Sequence, residues 1–275
     1  MAEAGMHDLK IRRPAVAGRF YAADAHRLRT TVSAMLGEVP TPDTIAPKAL
    51  IAPHAGYVYS GHVAAAAFAT LRQCARSIKR VVLIGPAHYV PLRGIAAPAA
   101  DAFQTPLGTV PLDREALAAI ADLPFVASND VAHAPEHALE VELPFLQSVL
   151  PAFTLVPLLI GDATAQEVAA VLRRLWGGGE TLIVVSSDLS HFLDYDTARR
   201  RDAATAAGIE RGDWNSLGPD QACGFLGVAG LLLEAGRRDL AAKRLSLCNS
   251  ADTAGSRDRV VGYGAWLFAQ AERSM

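Results

Sequence analysis

Apolar positions along this chain fall into blocks of two different periods. Short unbroken apolar runs bounded by turn-forming residues read as buried strands. Such runs cover residues 48–52, residues 80–85, Phe153–Ile160 and Thr181–Ser187, with Arg244–Leu247 and Val260–Phe268 nearer the C-terminus. Between them the apolar spacing is helical. Leu28, Val32, Met35 and Leu36 share one face of a helix for which Asp24 is the cap. Ser60-Gly61 opens an alanine-rich helix running from His62 to about Arg72, small enough in its side chains to lie close against a sheet. Further helices are expected over Arg114–Ala121, Ala163–Trp176, Asp196–Arg211 and Ala222–Ala235, with Gly177-Gly178-Gly179 and Gly236 as stops. Pro135–Leu150 also reads as helix, with Pro135 near its first position and Pro144 kinking or dividing it. Gly94–Ala97 and Gly108–Leu112 are short strands in a turn-rich stretch, and Pro40, Pro42 and Pro47 mark a linker. Strands alternating with helices predict an α/β fold, a three-layer α/β/α sandwich with a mixed, largely parallel central sheet. No composition break divides residues 1–275, so a single domain is expected.

Composition narrows the partners. The chain is 51% hydrophobic and 20% charged, ordinary for a protein with a sizeable core, and its formal net charge is −2. No basic stripe points to nucleic acid, and Arg199-Arg200-Arg201 and Arg237-Arg238 read as solvated helix faces. Apolar stretches are broken well short of membrane-spanning length, and Met1–Arg13 holds no segment of signal-peptide character. Cys74, Cys223 and Cys248 are an odd, widely spaced set, which fits a reducing compartment, so a cytoplasmic location is expected. Neither Gly85-Pro86 nor the triple glycine forms a phosphate-binding loop.

Candidate chemistry lies at the ends of three apolar runs, which lead to His54, His88 and His191. In open α/β sheets ligands bind beyond the carboxyl ends of the strands. One histidine there is an ordinary loop residue; three at a common sheet edge are a means of building a metal or proton-transfer site. Asp188, three residues before His191, either caps the next helix or orients an imidazole. Glu136 and Glu140 are four apart, on one face of the expected helix, as a polar surface or as carboxylates supporting the site, while His137 points elsewhere. The second histidine of HExxH is missing, and no GxSxG surrounds Ser187 or Ser190. Cys223-Gly224 opens a helix, where the dipole favours thiolate, a good ligand for copper, zinc and iron. On these residues alone, a buried structural cysteine is the simpler reading for Cys223, and more so for Cys74 and Cys248.

Taken together, these stretches resemble the Memo family, in particular its prokaryotic AmmeMemoRadiSam branch. The matching segments, in order, are Arg13–Tyr21, Ile51-Ala52-Pro53-His54-Ala55-Gly56-Tyr57, Leu83-Ile84-Gly85-Pro86-Ala87-His88, Glu136-His137-Ala138-Leu139-Glu140 with Leu143-Pro144-Phe145, Ser186-Ser187-Asp188-Leu189-Ser190-His191, and Cys223-Gly224. The resemblance implies the LigB-like fold of class III extradiol dioxygenases, in which two histidines and a glutamate hold Fe(II) and a further histidine is the acid/base. In the Memo family a cysteine replaces that glutamate. By position it implies His54, His88 and Cys223 as ligands of one transition-metal ion, iron or copper, with zinc as the other candidate. It implies His191 as the acid/base with Asp188 close by, Tyr57 lining the pocket, and Glu136, His137 and Glu140 around it. Tyr89 stands where some relatives carry a second histidine, and Phe225-Leu226-Gly227 where some carry basic residues. The implied function is a redox, oxygen-dependent (dioxygenase-like) activity on an unknown small molecule or peptide, with a functional link to a radical-SAM protein. A non-catalytic adaptor that binds peptide in the same cleft, and a zinc hydrolase in which His191 or Glu136 activates metal-bound water, are the other readings.

Overall fold

The computed structural model describes residues 9–40 and 46–270; Pro42 of the expected linker lies outside the described residues. Its strands are β1 (Ile11–Arg12), β2 (Ala49–Ala52), β3 (Arg80–Pro86), β4 (Ile95–Ala97), β5 (Ala102–Thr105), β6 (Gly108–Pro111), β7 (Val126–Ser128), β8 (Thr154–Ile160), β9 (Thr181–Ser186), β10 (His191–Leu193), β11 (Leu240–Asn249) and β12 (Val260–Gln270). Its α-helices are α1 (Ala25–Glu38), α2 (Tyr57–Phe68), α3 (Arg114–Ala118), α4 (Asp130–His133), α5 (Leu143–Val149), α6 (Ala165–Leu175), α7 (Tyr195–Glu210) and α8 (Phe225–Gly236).

The apolar runs become the centre of a nine-stranded sheet ordered β10-β12-β2-β9-β3-β8-β4-β7, with β11 also paired to β12. From β2 through β9 and β3 to β8 the strands are parallel. Helices cover both faces of such a sheet, so its strands need apolar residues on both sides and lose the alternation of a half-exposed strand. Every residue of β2 and β9 is buried accordingly. β12 runs antiparallel to β2, β10 and β11, and β4 antiparallel to β8, which makes the sheet mixed. On one face α1, α2 and α5 pack together; α6 and α8 pack as a pair on the other, and α7 lies on β11 and β12. The expected three-layer α/β fold is the fold observed. A separate three-stranded sheet, β1-β5-β6, flanks it. Among the described residues no helix is long and apolar enough to cross a membrane.

Local chemistry explains where the elements start. Asp24 caps α1 by accepting the Arg27 N–H at 2.8 Å, and Leu28, Val32, Met35 and Leu36 are its buried face. Thr164 and Glu167 form a reciprocal capping box at α6. The alanine-rich helix begins at Tyr57, ahead of the expected His62, because the buried Tyr57 ring anchors its first turn against Phe145 and Tyr21. Gly61 then sits inside the helix, since a Cβ there would lie 2.7 Å from the Met35 sulfur of α1.

The expected helix over Pro135–Leu150 is not continuous. Residues 136–139 are not helical, a 3-10 turn covers Glu140–Glu142, and α5 starts at Leu143. Pro144 is the reason: its missing N–H and fixed φ suit a first turn and not a helix interior. Glu136 and Glu140 therefore do not share a helix face. Glu140 points away from the strand ends and organises the N-terminal lead-in. It pairs with Arg12 and accepts the N–H groups of Ala15 (2.7 Å) and Val16 (3.0 Å) and the hydroxyl of Tyr21 (2.5 Å).

Candidate metal centre

Strands β2, β9 and β3 are neighbours in the sheet, and each carries a polar residue two positions beyond its last residue: His54, Asp188 and His88. Adjacent strands lie about 5 Å apart, so this register delivers the three side chains to one place. Backbone bonds fix the loops. Ser187 N–H donates to Ala52 O at 2.8 Å, and His54 N–H donates to Asp188 Oδ1 at 2.8 Å. The His54 and His88 rings meet edge to face with centroids 5.1 Å apart.

Cys223 enters from the turn before α8. Its sulfur lies 3.4 Å from His54 Nε2 and accepts the Asp188 N–H at 3.3 Å. The following Gly224 donates its N–H to Ser187 Oγ at 3.0 Å. A Cβ at this position would lie 2.7 Å from both Ser186 O and Ser187 Cβ, so only glycine lets the turn seat against β9. Gly224→Ala is expected to lower stability by about 1–3 kcal/mol through overpacking and to weaken metal binding as Cys223 is pushed out. Urea denaturation and a cobalt titration of the same preparation check both effects.

The donor atoms of His54, His88 and Cys223 lie within 4.8 Å of one another, a grouping able to hold a metal ion. The atoms behind them fit that use. His54 Nδ1 is 2.7 Å from Ser186 Oγ, which leaves Nε2 facing the Cys223 sulfur. His88 Nδ1 is 2.9 Å from Glu136 Oε1, which makes Nε2 the ring nitrogen available to a ligand. A carboxylate behind a ligating imidazole fixes its tautomer and raises its basicity. His88, Glu136 and His137 form a second grouping of donor atoms. Glu136 is committed elsewhere, however: it also accepts the N–H groups of His88 (2.6 Å), His137 (2.9 Å) and Ala138 (3.0 Å). This carboxylate orients its neighbours.

Electrostatics follow the burial. Burial, reinforced by the nearby His88 and His137, pushes His54 well below the usual imidazole value, so it is neutral, the form that ligates. Burial works against ionised Glu136, yet hydrogen bonds from His137 and His88 outweigh it and hold this carboxyl far below the usual range. The helix start was expected to favour the Cys223 thiolate. Instead burial, with the Asp188 charge beside it, pushes the thiol up to about 12. The dipole of one helix end does not offset desolvation, whereas a metal cation against the sulfur inverts that balance.

The structure sorts the remaining candidates. His137 lies in the site, stacked on His88 at 4.7 Å and 5.3 Å from His54, where helical spacing had turned it away. His191 starts β10 and makes ring contact with Phe192 alone among the described residues; its Nδ1 is 2.8 Å from Leu189 O. Asp188 is engaged by the His54 backbone, and its Oδ2 lies 4.0 Å from His54 Nε2. Tyr57 is buried with its hydroxyl donating to Val141 O at 2.8 Å, and Tyr89 is exposed above His137. Glu140 belongs to the lead-in. Ser186 and Glu142 were not singled out from the sequence. Their signal was a serine inside a buried apolar strand and a glutamate directly before Leu143-Pro144-Phe145.

The family profile described as Memo-like protein matches residues 12–267. A MEMO1 family protein of Aquifex aeolicus (strain VF5) is 32% identical over 272 residues, covering 94% of this chain and 100% of the relative. One from Aeropyrum pernix is 34% identical over 282 residues, covering 94% and 99%. Among solved structures, the uncharacterized protein JW3007 from Escherichia coli K12 aligns with a TM-score of 0.53 at 12% identity, over 80% of this chain and 98% of that one. That likeness is one of fold.

Proposed function

The chain belongs to the Memo family, and from that premise we propose that it binds one transition-metal ion through His54, His88 and Cys223 and uses it in an oxygen-dependent reaction on a small organic substrate. The observation that carries this reading is the convergence of two imidazole nitrogens and one sulfur within 4.8 Å at adjacent strand ends. Two histidines and a thiolate suit iron or copper, with zinc as the redox-inert competitor. When bound, the ion supplies Lewis acidity and, if redox-active, electron exchange with oxygen.

The chain's own residues supply the rest. Ser186 and Glu136 engage Nδ1 of His54 and His88, which would leave Nε2 of each to hold the ion. Asp188 ties the His54 loop to the Cys223 turn, accepting the His54 N–H on its carboxylate and giving its own N–H to the sulfur. His191 is the proton carrier. Its Nδ1–H donates to Leu189 O, so Nε2 carries the lone pair that takes and returns a proton. The functional link to a radical-SAM protein and the cytoplasmic location belong to the same reading.

Elemental analysis of protein purified without oxygen or added metal tests the proposal, followed by oxygen-uptake assays with catechol-type substrates. About one iron or copper per chain and substrate-dependent uptake are expected. A folded protein that takes up no metal but binds peptide in this cleft would overturn it in favour of the adaptor reading. Turnover with zinc alone would make it a hydrolase.

A further inference from the structure

Behind His54 lies a hydroxyl with three polar neighbours. Ser186 Oγ is 2.7 Å from His54 Nδ1, 2.7 Å from Ala138 O and 2.9 Å from Glu142 Oε1. A hydroxyl has one proton to give and two lone pairs to offer. Ala138 O can only accept, so it takes the serine proton. The two remaining neighbours must then donate: His54 as Nδ1–H, and Glu142 as O–H. If Glu142 took the serine proton as a carboxylate, the lone pairs of Ser186 Oγ and Ala138 O would face each other at 2.7 Å.

Three further observations point the same way. Glu142 is fully buried. Among the described residues its Oε2 has no hydrogen-bond partner, which an ionised carboxylate could not tolerate cheaply but the carbonyl oxygen of a neutral acid can. The charged group that acts on it is Asp188, of like sign, and burial with that charge pushes its pKa well above the carboxylate range.

We infer that Glu142 is a carboxylic acid and acts through Ser186 as a positioning residue, pinning the hydroxyl so that its remaining lone pair receives His54 Nδ1–H and keeps Nε2 on the ligand side. The role of His54 rests on the metal reading above; the protonation of Glu142 and the His54 tautomer do not. Neutral Glu and Gln present the same groups, an N–H or O–H donor and a carbonyl.

The tests use the metal-free protein first. At neutral pH, the infrared difference spectrum of wild type against Glu142→Gln is expected to show the carbonyl stretch of one protonated carboxylic acid. Nitrogen-15 spectra are expected to show His54 protonated on Nδ1 in both proteins. Absence of the acid band, or His54 protonated on Nε2 in the wild type, would overturn the inference whatever the metal does. Cobalt titration then reads the positioning role. Glu142→Gln is expected to keep wild-type affinity, and Glu142→Leu to lose about 10-fold or more, the usual cost of an outer-shell partner. Equal loss in both variants, with the fold intact by circular dichroism, would also overturn it. If Glu142→Leu does not fold, the Gln variant and the two spectra still decide.

Discussion

Cys223→Ala is expected to lower cobalt or zinc affinity by more than the roughly 10–100-fold typical of losing an outer-shell partner, and to abolish the thiolate-to-cobalt charge-transfer absorption. The sulfur is the one soft donor of the grouping, and no other cysteine is near enough to replace it. Alanine leaves the turn in place, because the Gly224 N–H to Ser187 Oγ bond and the Cys223 N–H to Asp188 O bond do not involve the side chain. The fold should therefore persist, with a stability change of about 1 kcal/mol, and the loss should appear in metal binding rather than in the thermal midpoint. Unchanged affinity in a folded Cys223→Ala protein would remove Cys223 from the site and leave two histidines, too few for a tight centre.

Glu140→Gln is expected to have the opposite signature, a large loss of stability with the metal centre unchanged. Glu140 is fully buried and holds four donors at once: the Arg12 guanidinium, two backbone N–H groups and the Tyr21 hydroxyl. A glutamine offers one acceptor oxygen, turns its NH2 toward other donors and leaves the Arg12 charge buried and unpaired. Breaking a buried pair in this way costs about 3–5 kcal/mol. The urea midpoint should fall with little change in slope. An apolar double replacement of Arg12 and Glu140 should not restore stability, because the Ala15 and Val16 N–H groups would remain orphaned. Cobalt affinity of the folded fraction should match wild type. A change there, or a loss under about 1 kcal/mol, would mean that Glu140 is not the buried anchor described.

The contrast between these two residues shows what the sequence could and could not reveal. The central strands were legible because burial on both faces writes an unbroken apolar run, and α1 because its cap and its face agree. Short pieces such as β5, β7 and α4 carry too few residues for any period to show. The strand-end rule found His54 and His88, each two residues past its strand; for the third run it named His191, whereas the residue at that distance is Asp188 and His191 opens β10. Helical spacing failed for His137 and Glu140, whose segment reads as helix but is broken before Pro144, although Glu136 does stand behind His88. Once the helix is gone, the face argument goes with it, so His137 turns toward His54 and His88 and Glu140 toward the buried N-terminal lead-in. Cys223 was ambiguous for a physical reason: helix dipole and desolvation act in opposite directions on a thiol, and only the packing shows which dominates. Ser186 and Glu142 could not have been found by motif, because their meaning lies in a count of protons around one hydroxyl.

The place of β12 in the sheet sets the order in which its strand edges can close. Its residues 260–270 insert between β2, made some two hundred residues earlier, and the β10 and β11 segments. A nascent chain that stops short of Val260 carries an open, apolar strand edge at Ala49–Ala52, the kind that recruits chaperones or other strands. The same strand braces the candidate site: Leu189 N–H donates to Gly262 O, and Gly262 N–H returns a bond to Ser190 O. The turn carrying Asp188 and His191 therefore gains these backbone partners only when β12 docks, after the other described strands of the sheet have been made.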